Sequence, residues 1–540
     1  MINWAIRGLI TLFIAICILS TNFVFAQNTY FIDSQSGNDQ NDGLSENSAW
    51  KSHTMVESAN LQPGEVVHFA RGSAWIGGIQ INASGSEGSP IIFTNYGTGD
   101  LPKFSNPDWG NNTGNAIRFN GDYLIADGLY FHDVPPPPTG DFLTVWSAGA
   151  FRILLGADHC IIRNCYFDAV PKAVQSHGEY TLITYNTMIG EQVLLGSKYW
   201  GPIGIQLGIG NQEVSYNTIR EFWVTEGHAW GGDGGAIEMD DGRNHKDNVY
   251  IHHNRTINNC GFLEISYDYD IEHREVWNLR VAFNLSTDFQ SIGFLEAPLH
   301  DSYIDNNTFD RTHQLHYNSS MEVQLGDPIV RNNLIIVAGV SPYRADDGQL
   351  HVTPQNNWYY QVNNPNVVYF PGSAAGNGDP RLISFINAGD SDYHLTEASP
   401  LRGTGQNLSS EFYSFYSTDF EGKALPESGE WDVGALQYEE ALSLASTDPG
   451  GVFDQYRLEQ NYPNPFNSQT MINYRLPVDS AVDVTIYNIL GQKVITLLSG
   501  NQKAGDYKVA WDASNLSSGV YTCRLQADNY FITRKMLLFK

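Results

Sequence analysis

The sequence predicts an all-β chain in two parts, a long solenoid of stacked parallel strands and a small immunoglobulin-like β-sandwich, and three observations carry that prediction. A short apolar strand ending in asparagine recurs as IIRNCYF, ITYNTMI, VSYNTIR, IHHNRTI, VAFNLS, DNNTF and VRNNLII. In the same stretch apolar residues bracket a single polar one in GIQLG, GAIEM, GFLEIS and GFLEAP. Beyond about residue 456 both patterns stop, and alternating strands separated by Asp, Gly and Ser turns take over.

The chain opens with Arg7, the apolar run Gly8–Leu19 and Val24-Phe25-Ala26 before Gln27, which reads as a secretory signal over residues 1–26. Cys17 follows Ile16 rather than a small residue, which argues against a lipid anchor. No later run approaches the ~20 apolar residues of a membrane span. The net charge is −29, and loss of Arg7 takes it to −30, on a chain that is only 16% charged but 13% aromatic. Such a surface repels nucleic acid and anionic membranes, and also polyanionic sugars unless a local basic patch or bound cations intervene. Four cysteines remain after the signal, Cys160, Cys165, Cys260 and Cys523, without zinc-type spacing, and are expected to be buried free thiols.

Residues 28–106 are strand-rich with turn chemistry between the strands: Tyr30-Phe31-Ile32-Asp33, the loop Gly37-Asn38-Asp39 to Asp42-Gly43, Trp50, Pro63-Gly64, Phe69, Arg71-Gly72, Trp75, Pro90-Ile91 and Tyr96-Gly97. This opening resembles the start of secreted right-handed parallel β-helix proteins of the pectin-lyase-like kind that act on polysaccharides. DPRL, DYHL, SPLRGTG and DVGALQ, near the end of the first part, resemble the terminus of the same group. The resemblance implies a right-handed parallel β-helix over residues 27–438 that binds a polysaccharide. The NTD, GHG and RIK set of polygalacturonases and the paired motifs of pectate lyases are absent, so it implies fold and broad class only.

The repeat asparagines are Asn164, Asn186, Asn217, Asn254, Asn284, Asn307 and Asn333, separated by 22, 31, 37, 30, 23 and 26 residues. That spacing fits one solenoid coil per repeat. The asparagines are expected to line a turn, bonding backbone groups and tolerating left-handed conformations. The longer coils must carry inserted loops, where function concentrates. After Asn333 the pattern weakens into what reads as irregular last coils.

On stacked strands the bracketed residues Gln206, Glu238, Glu264 and Glu296 would form an outward column, with successive carboxyls roughly 5 Å apart. Asp240 lies two residues from Glu238 on the same face. Retaining glycosidases need about 5–5.5 Å between carboxyls and inverting ones about 6.5–9.5 Å, so Glu264 with Glu238, or diagonally with Asp240, could serve either. Carboxylates that close cannot all ionise cheaply, and one is expected to hold a proton. Glu264 is the expected centre, with Glu238 and Asp240 as partners and Glu296 third. Tyr199, Trp200, Trp223 and Trp230 in the inserted loops could stack on sugar faces or simply pack the loops. A competing reading is a lyase acting on a uronate polymer: Asp233, Glu238, Asp240, Asp241 and Glu264 would hold Ca²⁺, and Arg243, Lys246, His273 or Arg274 would supply the base or bind the sugar. A third is a solenoid that binds glycan without cleaving it. No other cofactor is expected, and a monomer is.

Residues 439–455, with Thr447-Asp448-Pro449-Gly450-Gly451, read as a linker. In the last part, 456–540, Asn461-Tyr462-Pro463-Asn464-Pro465-Phe466-Asn467, Tyr487-Asn488, Gly491-Gln492-Lys493-Val494, Gly519-Val520-Tyr521 and Arg534-Lys535 resemble the type IX secretion sorting domain. That implies recognition by the type IX secretion machinery and delivery to the bacterial cell surface or beyond it.

Overall fold

The computed structural model describes residues 28–438 and 457–538, apart from 109–113, 137–146, 196–199, 225–232, 240–244, 267–274, 313–320, 340, 371, 385–390, 412, 459–460, 462–465, 467, 477–479, 489–492, 517–518 and 528–529. Three long parallel sheets, visited in turn by successive coils, build most of the first part. Twelve strands from Thr29–Ile32 to Thr353–Gln355 form the first sheet, twelve from Ala74–Ile76 to Ala374–Asn377 the second, and ten from Ile79–Ile81 to Tyr343–Arg344 the third. One coil runs Ile161–Arg163, Tyr166–Val170, Lys172–Ser176, and the next returns at Thr181–Thr184 to pair with the first of these in parallel. This is a parallel β-helix.

Alternation explains why these short segments are strands. In the first sheet Ile162, Ile183, Val214, Ile251, Val281, Ile304 and Val330 stand in register and are buried, a β-branched column that packs well on a pleated surface. In the second, Phe104, Phe131 and Phe167 stack at centroid distances of 5.8 and 4.7 Å. Each such side chain contributes about 1.5–3 kcal/mol by leaving water. The four expected free thiols are free and buried.

The asparagine column is a hydrogen-bonded ladder at the turn from the first sheet to the second. Asn186 Nδ2 donates to Asn217 Oδ1 at 2.9 Å, and the pattern continues through Asn254, Asn284, Asn307 and Asn333 to Asn357. Each of these amides also donates to a backbone carbonyl, as Asn217 does to Ile183 and Asn284 to Ile251. Two expectations are corrected. Asn164 is not a rung: Cys165 holds that position, its N–H donating to Asn186 Oδ1, while the Asn164 amide bonds Asp127. The left-handed residue is the one before each rung, with φ of 55° at Tyr185, 56° at Tyr216, 56° at His253 and 53° at Phe283. Asn357 extends the ladder one coil into the stretch that reads as irregular.

Residues 401–438 run back along the outside of this turn. Phe415 stacks on His252 at 4.5 Å, Arg331 bonds both Asp305 and Glu411, and Asn306 donates to the carbonyls of Asp432 and Gly434. The terminal part is built of antiparallel sheets of three and four strands over a core that includes Ile472, Tyr474, Val484, Ile486, Trp511 and Leu525. Gln469–Leu476 buries every second residue, as a strand with one face on a core must. Among the described residues no helix is long and apolar enough to cross a membrane.

Candidate functional site

The third sheet carries the polar column. Register places Gln80, Arg118, Arg152, Gln175, Gln206, Glu238, Glu264, Phe294, Glu322 and Arg344 opposite one another on successive strands. The flanking residues on each strand, such as Ile205 and Leu207 or Ile237 and Met239, point into the core, which is why the column faces outward. Gln206, Glu238 and Glu264 stand in register as the sequence predicts, one strand spacing of about 4.8 Å apart at the backbone.

Glu296 does not join them. Phe294 occupies the position opposite Glu264, and Glu296 lies two residues further along, its N–H bonded to the carbonyl of Ile265. The motif Gly-Phe-Leu-Glu is the same in both coils, but Gly261 pairs with Ser291 rather than Gly293, so the second copy is shifted by two residues.

The middle of the column is withdrawn from solvent: Gln175 is 0%, Gln206 2% and Glu238 8% exposed. Sequence reading passed over Lys172, which is also buried and whose Nζ donates to Gln206 Oε1 at 2.8 Å while Gln175 Nε2 donates to the same oxygen at 3.0 Å. The Glu238 carboxylate leans over Gly235, where a Cβ would lie 3.5 Å from its Oε1. At Gly208 a Cβ would lie 2.3 Å from the ring of His177, so that ring covers the glycine of the next coil. Burial pushes the Cys260 thiol well above its usual pKa, and the charges of Asp233, Glu264, Asp288 and Glu238 add to this, leaving it inert beside the carboxylates. Further along, burial raises the pKa of Glu322, with Arg344 3.9 Å away.

The other expected residues separate. Trp200 lies three residues before the first residue of the strand bearing Gln206, Ile203–Leu207, and is 37% exposed. Trp223 packs edge-on against Phe289 at 5.5 Å and donates to Glu221, a loop-packing role. Asp233 accepts from the backbone N–H of Gly201 and of Gly234, holding two loop ends together. Lys246 is buried at the turn that follows. Tyr199, Trp230, Asp240, Asp241, Arg243, His273 and Arg274 lie outside the described residues. Among the described residues no group of three His, Cys, Asp or Glu side chains could hold a metal ion.

The family model described as a secretion system C-terminal sorting domain matches residues 460–538. The terminal β-sandwich is therefore a secretion sorting domain. It sends the chain through the type IX secretion machinery to the cell surface or the extracellular space. No curated protein matches the sequence. Similar solved structures include pectate lyase Pel9A, at 14% identity and a TM-score of 0.47 over 76% of this chain and 97% of that one. They include the GH136 lacto-N-biosidase from Eubacterium ramulus, at 14% identity and a TM-score of 0.34 over 62% and 68% of the two chains. An alginate lyase from a Paenibacillus species aligns at 13% identity and a TM-score of 0.36 over 60% of this chain and 99% of that one. At these identities the likeness assigns no residue a role.

Proposed function

We propose that the β-helix domain is a secreted polysaccharide-degrading enzyme, a glycoside hydrolase that works with Glu238 and Glu264. The observation that carries this reading is their register: two carboxylates one strand apart on the outward face, with the Gln206 amide and its partners Lys172 and Gln175 on one side and Phe294 on the other. A separation near one strand spacing matches the about 5–5.5 Å of a retaining pair, with one carboxyl as acid and the other as nucleophile. Lys172 and Gln175 fix the Gln206 amide beside the pair, where it can orient a sugar hydroxyl. Trp200, shortly before the same strand and partly exposed, offers an aromatic face to the sugar ring. Asp240 would give the wider, inverting pair with Glu264. An acidic exported chain suits a carbohydrate substrate better than nucleic acid.

Lys172 supports a second reading. A lysine amine buried in such a groove, where desolvation disfavours its charged form, is the kind of base that removes a proton next to a uronate carboxyl, which would make the reaction β-elimination. The test is to incubate the secreted protein with neutral and acidic plant and algal polysaccharides and follow reducing ends together with the ultraviolet absorbance of unsaturated sugar. New reducing ends without absorbance are expected. Both together would establish the lyase, and binding with neither would leave a glycan-binding solenoid.

A further inference from the structure

The cationic end of the column is unexplained by the acid pair. Arg118 and Arg152 stand in register on adjacent strands of the third sheet, two like charges one strand spacing apart in a chain of net charge −29. Like charges directly opposite one another destabilise a sheet. Neither guanidinium makes a hydrogen bond or ion pair with a described residue, and Arg152 Nε is buried with no partner at all. Burial lowers the pKa of both, that of Arg152 to about 10 with the Arg118 charge contributing. The charge of Glu57 reaches Arg118, but its Oε1 is taken by the Gln80 N–H. Beside them Gln80 and Asn120 both donate to Asn82 Oδ1, a polar surface of the kind that sugar hydroxyls bond.

We infer that Arg118 and Arg152 form a subsite for an acidic sugar, its carboxylate or sulfate ester seated between the two guanidiniums. This rests on the reading of the third sheet's outer face as a glycan groove. Arginine suits the task because its planar fork binds such anions through two parallel hydrogen bonds. An anion supplied by the ligand would relieve the repulsion between the arginines and satisfy the buried Nε. Three strand spacings separate Arg152 from Glu238, about 14 Å along the axis, so the acidic sugar lies some residues away from the bond that the acids attack. The subsite selects a polymer bearing acidic units, not one that is neutral throughout.

Calorimetric titration tests this with the full secreted chain as its Glu264→Gln variant, to keep ligands intact, using an oligogalacturonate, a sulfated galactan oligosaccharide and a neutral cello-oligosaccharide. One acidic probe should bind, with affinity falling as salt rises, and the one that binds distinguishes carboxylate from sulfate. Arg152→Gln should weaken it about tenfold and the double Arg118→Gln/Arg152→Gln variant about a hundredfold, with Arg152→Lys intermediate, neutral-probe affinity unchanged and an unaltered melting temperature. If acidic probes bind the double variant as tightly as its parent, or if only the neutral probe binds, the subsite is overturned and the groove stands. If the parent binds no probe, the groove reading falls and takes the subsite with it.

Discussion

The asparagine ladder and the polar column of the third sheet are both rows of in-register polar residues, one per coil, and both are withdrawn from water in their middle. They differ in what completes them. Each ladder amide finds its partners in the next rung and in the backbone, so one residue type repeats from Asn186 to Asn357. The column changes type along its length, from arginine to glutamine to glutamate to phenylalanine, and sets like charges opposite one another at Arg118–Arg152 and at Glu238–Glu264. A row that closes on itself is constrained to repeat; a row that must meet something from outside is free to vary.

Four experiments would break or sharpen that contrast. Glu264→Gln in the column should lower kcat by about a hundred- to ten-thousandfold while the denaturant midpoint stays put, since it removes a proton donor or nucleophile but keeps the shape; an active variant would sink the assignment of the acid pair. Asn284→Ala in the ladder should do the opposite. It removes the acceptor of the Asn254 N–H, one of the bonds of the Asn254 amide and the side-chain donor to the carbonyl of Ile251, at a cost of about 2–5 kcal/mol in chemical unfolding, with activity per folded molecule unchanged.

The turn before the rung Asn254 adds a pH signature. His253, against His252 and the Thr418 carbonyl, has its pKa pushed down to about 3 by burial and by His252. The unfolded imidazole titrates near its ordinary ~6.5 and so takes up the proton first. Stability from this group is therefore present above about pH 6.5 and lost as pH falls toward 3, by about 2 kcal/mol at pH 5. Thermal unfolding across that range should show the slope, and a neutral replacement such as His253→Gln should flatten it. Lys172→Met is the mildest change. It should cost about tenfold in kcat/KM through loss of the bond to Gln206 and leave stability unchanged or slightly raised, because removing a buried charge also removes its desolvation penalty. A large loss of stability would place Lys172 with the ladder rather than with the column.

Much of the fold was legible because the coil repeats: asparagine spacing gave the stacking, and apolar brackets gave Gln206, Glu238 and Glu264 their common face. Glu296 shows where motif matching fails. Gly-Phe-Leu-Glu recurs, but its second copy is out of step with the ladder. Ten residues beyond Asn254 lies Glu264, and ten beyond Asn284 lies Phe294. Counting from the rung would have found this for these two coils, though not where the loops before Gln206 and Glu238 are longer. Phe262 packs on Phe309 inside the helix in the first copy, whereas its motif counterpart Phe294 stands in the outward column. Arg118, Arg152 and Lys172 escaped notice because their strands precede the first asparagine rung, so no count anchored them. Asn164 misled for the reverse reason: the right residue type stood one place early.

The segment 401–438, which binds the outside of the ladder turn, is the last of the β-helix to leave the ribosome. Its contacts reach back over more than a hundred residues, Asn306 to Asp432 and Gly434, and His253 to Thr418. A product truncated before these residues would keep its coils but expose Tyr250, Phe283 and the Asp305–Arg331 pair. It would also lack the sorting domain that follows. The chain thus ties its export address to its own completion: what seals the solenoid lies just upstream of what releases it from the cell.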